Sequence, residues 1–374
     1  MKIGIIGSGA MGSGIAQVAA QAGNQVVLVD TQLAALERAQ KGLHSTFAKL
    51  TEKGKITEEQ AQATLQRISY AEQLNSLSSS DLVIEAIVEN VDVKKSVFQS
   101  IEALVNETCI LATNTSSLSV TAIAAACEKP DRFIGIHFFN PAPLMPLVEI
   151  IPALQTEAAL AGTCVELMRA WGKVPVVCKD TPGFIVNRVA RPYYSEALRI
   201  CDEGIADMAT IDQAMRDEGF RMGPFELMDM IGHDVNYTVT DSVFAAMYFD
   251  PRFRPSITQK KLVEARWLGR KTGRGFYNYA EGTTPPVPSE EHTLRNTISK
   301  RILAMLINEA YDSVYLGVAS AEDIDLAMTK GVNYPKGLIA WGKEIGLSSV
   351  REQLEMLQAK YGEDRYRVSA FLKD

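Results

Sequence analysis

The sequence predicts an α/β protein, with an N-terminal doubly wound, mostly parallel sheet followed by two tandem all-helical modules. Short apolar runs alternate with amphipathic helical stretches over residues 1–181, and strands that alternate with helices form parallel sheets covered on both faces. The pattern becomes almost entirely helical after Thr181, Pro182 and Gly183. An internal repeat within the helical part predicts that its module is duplicated.

The strands of the predicted sheet are short and rich in β-branched residues. The expected strands are residues 3–6, 25–30, 81–88, 109–115, 132–139, 147–151 and 174–180. Residues 32–68 predict helix, because Ala, Leu, Glu and Lys dominate there and only Gly42 and Gly54 interrupt the pattern.

The repeat relates residues 185–215 to residues 298–328. Identical residues in the two copies include Arg188/Arg301, Glu196/Glu309, Ala197/Ala310, Gly204/Gly317, Ile211/Ile324, Asp212/Asp325 and Met215/Met328. A Pro-rich polar segment at residues 281–293 lies between the copies and predicts a linker. The predicted domains are therefore residues 1–181, 182–283 and 294–374. Asn187 aligns with Lys300, so the second copy is not expected to be catalytic.

Composition narrows the range of functions. Asp and Glu outnumber Lys and Arg by 45 to 38, and a net negative chain without a local basic patch is a poor partner for nucleic acid. No apolar run reaches the roughly 18 residues that cross a bilayer, and no charged leader precedes the first strand. The five cysteines are odd in number and lie mostly in apolar runs. We expect reduced thiols in a cytoplasmic protein that binds neither a membrane nor a metal.

A glycine-rich turn follows the first strand. Gly7, Gly9 and Gly12 fit the G-x-G-x-x-G pattern of Rossmann-like folds, in which they provide a tight turn, room for a pyrophosphate and close helix–strand packing. The turn opens a helix, and Asp30 ends the second strand. A carboxylate at that place accepts hydrogen bonds from the ribose 2′-hydroxyl and repels a 2′-phosphate, and no arginine directly follows it. The sequence therefore predicts binding of NAD rather than NADP.

His137 and Glu149 lie on successive extended runs joined by a Pro-rich connection. On adjacent strands the carboxylate would accept the imidazole N–H and stabilise the imidazolium that forms when the other nitrogen removes a proton. A core histidine beside a surface glutamate is the structural alternative. The position of His137 favours catalysis, because doubly wound folds bind ligands where their strands end.

Two further segments offer polar groups for the same site. Residues 114–117, with the sequence NTSS, follow another strand and supply hydroxyl donors, although they also suit a helix N-cap. Asn187 lies at the start of the helical module, where its amide could donate to a substrate carbonyl. Taken singly, Asn187 is better suited to a structural role.

These motifs together closely resemble the 3-hydroxyacyl-CoA dehydrogenases of β-oxidation type. The resemblance runs from Lys2 to about Tyr279, through GSGAMG, VIEAIVEN, TNTSSLS, GIHFFNPAPLMPLVEII, KDTPGFIVNR, MGPFELMD and GRKTGRGFY. The duplicated module, with ARPYYSEA, NYPKGLIAWG and YGEDRYR, is similar to the long bacterial members of phenylacetate-type aromatic degradation, which act on 3-hydroxyadipyl-CoA or related thioesters. This chain has a shorter connection between its two helical modules than that subgroup.

The resemblance implies a role for each matching residue. His137 matches the general base, Glu149 the carboxylate that orients it, Ser116 a hydroxyl that contacts the substrate oxygen and the nicotinamide, and Asn187 the amide that binds the reacting oxygen. The positions matched to NAD are Gly7, Gly9, Gly12, Asp30, Glu89, Lys94, Ser116, Asn140 and Lys271. Thr46 and Lys53 match the coenzyme A contacts, and Lys49 and Lys55 lie nearby.

The implied activity is NAD-dependent oxidation of an (S)-3-hydroxyacyl-CoA to the 3-ketoacyl-CoA. In related enzymes with one helical module that module forms the dimer interface, so residues 294–374 are expected to cover it within one chain. The chain would then be a pseudo-dimeric monomer or a homodimer that uses another face. Two alternatives are a β-hydroxyacid dehydrogenase of 6-phosphogluconate type, which uses a lysine in its helical domain, and a non-catalytic NAD-binding relative similar to the lens crystallins with this fold.

Overall fold

The computed structural model describes residues 1–372, and the chain divides into two compact units, Met1–Thr181 and the remainder from Pro182. The first unit contains one eight-stranded sheet. Its strands are β1 (Lys2–Ile6), β2 (Gln25–Val29), β3 (Ile68–Ala71), β4 (Leu82–Glu85), β5 (Ile110–Thr113), β6 (Phe133–Phe138), β7 (Leu147–Pro152) and β8 (Val174–Val177). The order across the sheet is β3-β2-β1-β4-β5-β6-β7-β8.

The strands from β3 to β6 in this order pair in parallel, whereas β7 runs antiparallel to β6 and β8 runs parallel to β7. The helices of this unit are α1 (Ala10–Gln21), α2 (Leu33–Glu52), α3 (Glu58–Gln66), α4 (Val91–Glu102), α5 (Val120–Ala124) and α6 (Ala158–Ala170). The strand order reverses between β1 and β4, and the carboxyl edge at such a reversal is where doubly wound sheets bind ligands. The predicted α/β fold class is confirmed.

One strand was not predicted. Residues 32–68 were expected to be helical, but the helical region consists of α2 and α3, and the chain then enters β3 at Ile68. The strand is four residues long and pairs only with β2, at the edge of the sheet. No glycine or proline separates Gln66 from Ile68, so the sequence gives no punctuation at which to end the helix.

The second unit is helical. Its helices are α7 (Val186–Val189), α8 (Arg191–Asp202), α9 (Met208–Asp217), α10 (Pro224–Ile231), α11 (His233–Ala246), α12 (Ile257–Glu264), α13 (His292–Tyr315), α14 (Ala321–Gly331), α15 (Leu338–Ile345) and α16 (Leu347–Tyr361). The two copies share details of their turns. Asp212 accepts hydrogen bonds from the first backbone N–H groups of α10, and Asp325 does so for α15. Gly232 and Gly346 have positive φ at the matching helix junctions.

The two copies pack through α8 and α13 and exchange equivalent ion pairs. Arg188 binds Glu309 with an Nε–Oε1 distance of 2.7 Å, and Arg301 binds Glu196 with an Nε–Oε1 distance of 2.6 Å. Because Arg188 matches Arg301 and Glu196 matches Glu309 in the repeat, each copy gives the other the same arginine and the same glutamate. This exchange is the pattern of a two-fold interface between identical subunits.

Candidate active site

The glycine turn leaves a gap that suits a ligand backbone. Gly7 has a φ of 96°, and a Cβ there would lie 2.6 Å from the carbonyl oxygen of Ala86. A Cβ on Gly12 would lie 1.8 Å from the carbonyl oxygen of Gly7, so glycine is required for α1 to pack on the turn. A Cβ on Gly9 would meet nothing within 4 Å. Gly9 thus exposes backbone at the start of α1, where a helix N-terminus attracts a pyrophosphate.

Asp30 follows β2, beside this turn. Its Oδ2 accepts hydrogen bonds from the backbone N–H of Ser8 at 2.9 Å and from the Ser8 hydroxyl at 2.8 Å, and its Oδ1 accepts one from the N–H of Gln32 at 3.0 Å. Burial acts to raise the pKa of Asp30, but these hydrogen bonds outweigh it and hold the pKa below its usual value. The carboxylate is therefore charged and fixed in place, as recognition of a ribose hydroxyl requires.

A cavity of about 870 Å³ runs from the glycine turn along α2. Its lining includes Ser8, Gly9, Asp30, Arg38, Thr46 and Lys55. Of the two residues that the resemblance matches to coenzyme A contacts, Thr46 lines this cavity, whereas Lys53 is exposed at the end of α2 and is not part of the lining. Arg38 was not predicted, because it lies one helical segment beyond Asp30 rather than directly after it.

His137 and Glu149 form a buried hydrogen-bonded pair. They face each other in the antiparallel register of β6 and β7, and His137 Nδ1 lies 2.7 Å from Glu149 Oε2. His137 is 6% exposed and Glu149 1%. Hydrogen bonding of Nδ1–H to the carboxylate assigns the lone pair of a neutral ring to Nε2. The burial of Glu149 therefore excludes the structural alternative, which places the glutamate on the surface.

A second buried cluster lies where β4 and β5 end. Lys94 is 1% exposed, and its Nζ lies 2.5 Å from Glu85 Oε1 and 3.2 Å from Glu89 Oε2. Glu89 Oε1 accepts hydrogen bonds from the Thr115 hydroxyl at 2.5 Å and from the Ser116 N–H at 2.9 Å. Burial raises the pKa of Glu89, but the charge of Lys94 and these hydrogen bonds outweigh it and lower the pKa. Glu89 is thus an ionised anchor for the loop that carries Ser116.

Three residues that position this edge were missed. Glu85 is fully buried and also accepts a hydrogen bond from the Thr113 hydroxyl at 2.8 Å. Asn114 Oδ1 accepts from the Phe138 N–H at 2.8 Å and so connects the ends of β5 and β6. Asp180 accepts from the N–H groups of Val120 and Thr121 at the start of α5. An acidic residue inside the apolar run VIEAIV was the available signal for Glu85.

The remaining sequence-predicted residues are distributed over both units. Asn140 is exposed just after β6. Lys94 is buried against its two glutamates rather than exposed to a ligand. Asn187 belongs to the second unit, where it is half-buried in α7. Lys271 is exposed in that unit, and its Nζ lies 2.5 Å from Asp234 Oδ1. The structure thus brings together in one unit the glycine turn, Asp30, the His137–Glu149 pair and the Glu89–Ser116 cluster.

Comparison with known families gives a single result. Residues 2–181 match the NAD-binding domain of 3-hydroxyacyl-CoA dehydrogenase, and residues 183–279 and 298–374 match the C-terminal domain. The chain belongs to the 3-hydroxyacyl-CoA dehydrogenase family. The resemblance found in the sequence is therefore confirmed, and NAD is the cofactor of the matched domain.

Individual relatives in the family align with most or all of the chain. A 3-hydroxyadipyl-CoA dehydrogenase of Escherichia coli K12 is 39% identical over 99% of this chain and 96% of its own length. A mitochondrial hydroxyacyl-coenzyme A dehydrogenase of Rattus norvegicus is 44% identical over 74% of this chain and 90% of its own. The crystal structure of a 3-hydroxybutyryl-CoA dehydrogenase from Escherichia coli K12 superposes with a TM-score of 0.94 over 100% of this chain and 97% of that one, at 39% identity.

Across residues 1–372, none of the helices combines the length and the apolar character that a bilayer crossing needs.

Proposed function

We propose that this chain oxidises the 3-hydroxyl group of a 3-hydroxyacyl-CoA to a ketone, with NAD as the oxidant and His137 as the general base. The observation that carries the proposal is the buried His137–Glu149 pair, which lies in the same sheet as the glycine turn and Asp30. The overall change is balanced: the alcohol and NAD⁺ give the ketone, NADH and one proton.

The residues present fit NAD. The open backbone at Gly9 leaves room for the pyrophosphate, and the ionised Asp30 can accept hydrogen bonds from the adenosine ribose. We propose that Glu89 and Ser116 contact the nicotinamide half, and that Asn140 and Lys271 add to its binding. Lys94 would act through Glu89, because its ammonium is already held by two carboxylates. When bound, NAD accepts the hydride that leaves C3 of the substrate.

The proton transfer belongs to the protein. His137 Nε2 accepts the proton of the 3-hydroxyl group, and Glu149 stabilises the imidazolium that results through the 2.7 Å contact at Nδ1. We propose that the Ser116 hydroxyl and the Asn187 amide polarise the reacting oxygen as it changes from hydroxyl to carbonyl. The loop of Ser116 is held by Glu89, so its hydroxyl is positioned before the substrate arrives.

Substrate selection has two parts. We propose that the coenzyme A nucleotide binds along α2, near Thr46 and the lysines at positions 49, 53 and 55, because the cavity beside the glycine turn continues to Thr46 and Lys55. We propose that the acyl part is either butyryl or adipyl, since one relative is named for the oxidation of each. A terminal carboxylate on an adipyl chain would require an additional cation in the acyl pocket.

The test is the rate of NADH formation with 3-hydroxybutyryl-CoA and 3-hydroxyadipyl-CoA, measured side by side on the purified chain. Turnover of at least one thioester, lost in His137→Ala, would support the proposal. If the chain binds NAD but neither oxidises either thioester nor reduces acetoacetyl-CoA in the reverse direction, the proposal is overturned. A non-catalytic NAD-binding protein would then be favoured.

We also propose that residues 294–374 take the place of a partner subunit. The reciprocal ion pairs between the two helical copies support this assignment, because they are the contacts that a two-fold dimer of the first copy would make.

A further inference from the structure

The two helical copies pair their charges unequally, and the difference lies outside the dehydrogenase site. Residues 252–254 of the first copy correspond to residues 365–367 of the second, because R-F-R and R-Y-R end equivalent segments after α11 and α16. Arg252 and Arg365 are therefore counterparts, as are Arg254 and Arg367. The charged partners of the two arginines in each pair can therefore be compared directly.

Arg252 binds two carboxylates, although its Nε, like that of Arg365, is buried without a hydrogen-bond partner in the described part of the chain. It is 1% exposed, and its Nη1 lies 2.9 Å from Glu309 Oε2 and 3.0 Å from Asp312 Oδ2. Its Nη2 donates to the carbonyl oxygen of Arg367 at 3.2 Å. Two carboxylates therefore balance this buried guanidinium.

Arg365 lacks the second carboxylate. It is 3% exposed, and within the described residues its one ion pair joins Nε to Glu196 Oε2 at 3.9 Å. Nε and Nη2 of Arg365 are buried, and neither has a hydrogen-bond partner among residues 1–372. The position that holds Asp312 in the other half is Arg199 here, and Arg199 is bound to Glu203 and Glu363. A buried guanidinium with unmet donors costs free energy unless an anion reaches it.

Arg254 also has fewer acidic partners than its counterpart in the other copy. Its counterpart Arg367 binds both Asp250 and Asp364. The position equivalent to Asp364 is Pro251, and the position equivalent to Asp250 is Glu363, which is bound to Arg199. Over residues 1–372, Arg254 forms no ion pair.

Arg365 and Arg254 meet in one cavity. It has a volume of about 470 Å³, and its lining includes both of these residues together with Arg199, Ser195 and Ser256. Ser195 is 8% exposed, and its hydroxyl is also buried without a hydrogen-bond partner in the part of the chain that the structure describes. Two residues of the cavity lining, Ser195 and Arg365, are therefore each more than nine-tenths buried and carry hydrogen-bonding groups that the described part of the chain does not satisfy.

The acids at this cavity are already engaged. Asp202 accepts a hydrogen bond from the Thr258 hydroxyl at 2.7 Å, and Glu203 binds Arg301 and Arg199. Hydrogen bonding from Arg199, with the added positive charges of Arg365 and Arg254, holds the pKa of Glu363 below its usual value. The charged residues that line the cavity are three arginines and two acids.

We propose that this cavity, formed by Arg254, Arg365 and Ser195, binds a small oxyanion, that is, a phosphate or carboxylate group on a small molecule. Guanidinium groups bind such planar or tetrahedral oxyanions through paired N–H donors, and the Ser195 hydroxyl can donate a further hydrogen bond. Occupation would replace the carboxylate that Asp312 supplies in the other half. The bound anion would stabilise the contact between the two helical copies, because the cavity takes residues from both.

The test uses the full-length chain with saturating NAD, so that anion binding at the glycine turn does not contribute. Sodium phosphate or sodium citrate is titrated into the protein, and the thermal unfolding midpoint and the heat of binding are measured. Sodium chloride at matched ionic strength is the control salt. We expect a saturable rise of the midpoint with phosphate or citrate and none with chloride. The tighter of the two anions identifies the group as phosphate or carboxylate.

Arg254→Met is the deciding variant, because it removes a half-exposed charge that holds no other residue in place. We expect it to weaken anion affinity about 10- to 100-fold, as the loss of a hydrogen bond to a charged group does, with dehydrogenase turnover unchanged. Arg351→Met, on α16 and outside the cavity, is the matched control and should bind the anion normally. Equal responses to phosphate, citrate and chloride, or full anion affinity in Arg254→Met, would overturn the proposal.

Discussion

The imidazole of His137 is the residue whose removal should separate chemistry from folding. We expect His137→Ala to lower kcat by about 10²- to 10⁴-fold, the usual contribution of a general base, with folding retained. Glu149→Gln should also lower kcat and alter the pH–rate profile, because the imidazolium loses its counter-charge across the 2.7 Å contact. The exposed His44 provides a control as His44→Ala. Near-normal turnover in His137→Ala would remove His137 from the mechanism.

Cofactor choice depends on a different residue, Asp30. We expect Asp30→Ala to lower the ratio of kcat/KM with NAD to that with NADP by about 10- to 100-fold, because charged hydrogen bonds to the ribose are lost together with repulsion of a 2′-phosphate. Arg38 lines the same cavity and its charge lowers the pKa of Asp30. The kcat/KM of Asp30→Ala with NADP should therefore fall in the double variant that also carries Arg38→Gln. An unchanged cofactor ratio in Asp30→Ala would contradict the assignment.

Residues that bind each other along neighbouring strands were predictable, and those that bind distant backbone were not. The twelve-residue spacing of His137 and Glu149 is set by two strands and their connection, so two successive extended runs predicted the pair, and the burial of Glu149 in the structure decided against the alternative. Asn114 and Asp180 instead accept from N–H groups of Phe138 and Val120, far along the chain. Such contacts depend on which strands become neighbours, and a single sequence does not encode that order locally.

Among the structural elements, the β1–α1 turn allows binding and packing to be tested separately. Gly9→Ala adds a methyl group to open space, so we expect normal stability and weaker NAD binding, because the methyl group occupies the pyrophosphate site. Gly12→Ala places the same group against the Gly7 carbonyl oxygen, so we expect loss of both stability and NAD binding. Thermal midpoints and NAD titrations of the two variants check this. Weaker stability in Gly9→Ala than in Gly12→Ala would contradict the geometry.

The start of α10 carries a pH-dependent contribution to stability. Burial raises the pKa of Asp212 to about 7, although hydrogen bonds from Tyr277 and two backbone N–H groups oppose the shift. Between the unfolded pKa of about 3.9 and this value the folded chain binds more protons, so its free energy of unfolding falls as pH rises through the window. We expect Asp212→Asn to flatten that dependence in denaturant titrations, and the exposed Asp241→Asn to leave it unchanged. If the unchanged protein lost stability more steeply toward acid pH than Asp212→Asn does, the predicted direction of the pH dependence would be contradicted.

The elements themselves followed from the sequence wherever hydrophobic period and glycine placement agreed. Strands β1 and β4 are buried on both faces and so appear as continuous apolar runs. The short edge strand β3 has neither a continuous apolar run nor a preceding break, and its pairing with β2 is a tertiary outcome. The repeat located the equivalent helices of both copies but could not reveal which arginine meets which glutamate.

In the whole helical unit, the two copies exchange equivalent ion pairs, on which the proposal that residues 294–374 take the place of a partner subunit rests. Arg188 with Glu309 and Arg301 with Glu196 are buried pairs, and their glutamates are fully shielded from solvent. Buried pairs add little net stability relative to apolar residues, but removing one partner costs about 3–5 kcal/mol. They therefore fix the register of α7 and α8 against α13 more than they drive association. Apolar residues of α8, including Tyr193, Ala197 and Ile200, provide the buried area.

Truncation tests this arrangement directly. A chain that ends at residue 283 loses α13 and its neighbours, so the buried face of α8 and the charges of Arg188 and Glu196 become exposed. Because the equivalent residues are self-complementary under a two-fold operation, we expect two truncated chains to pair through α8 and to exchange Arg188 and Glu196 directly. Multi-angle light scattering should give the truncated form twice the number of subunits of the full-length protein. Changing Glu196 to Leu in the truncated chain removes the partner of Arg188 and should abolish the pairing. A truncated form that is soluble and has the same number of subunits as the full-length protein would contradict the covering role of residues 294–374.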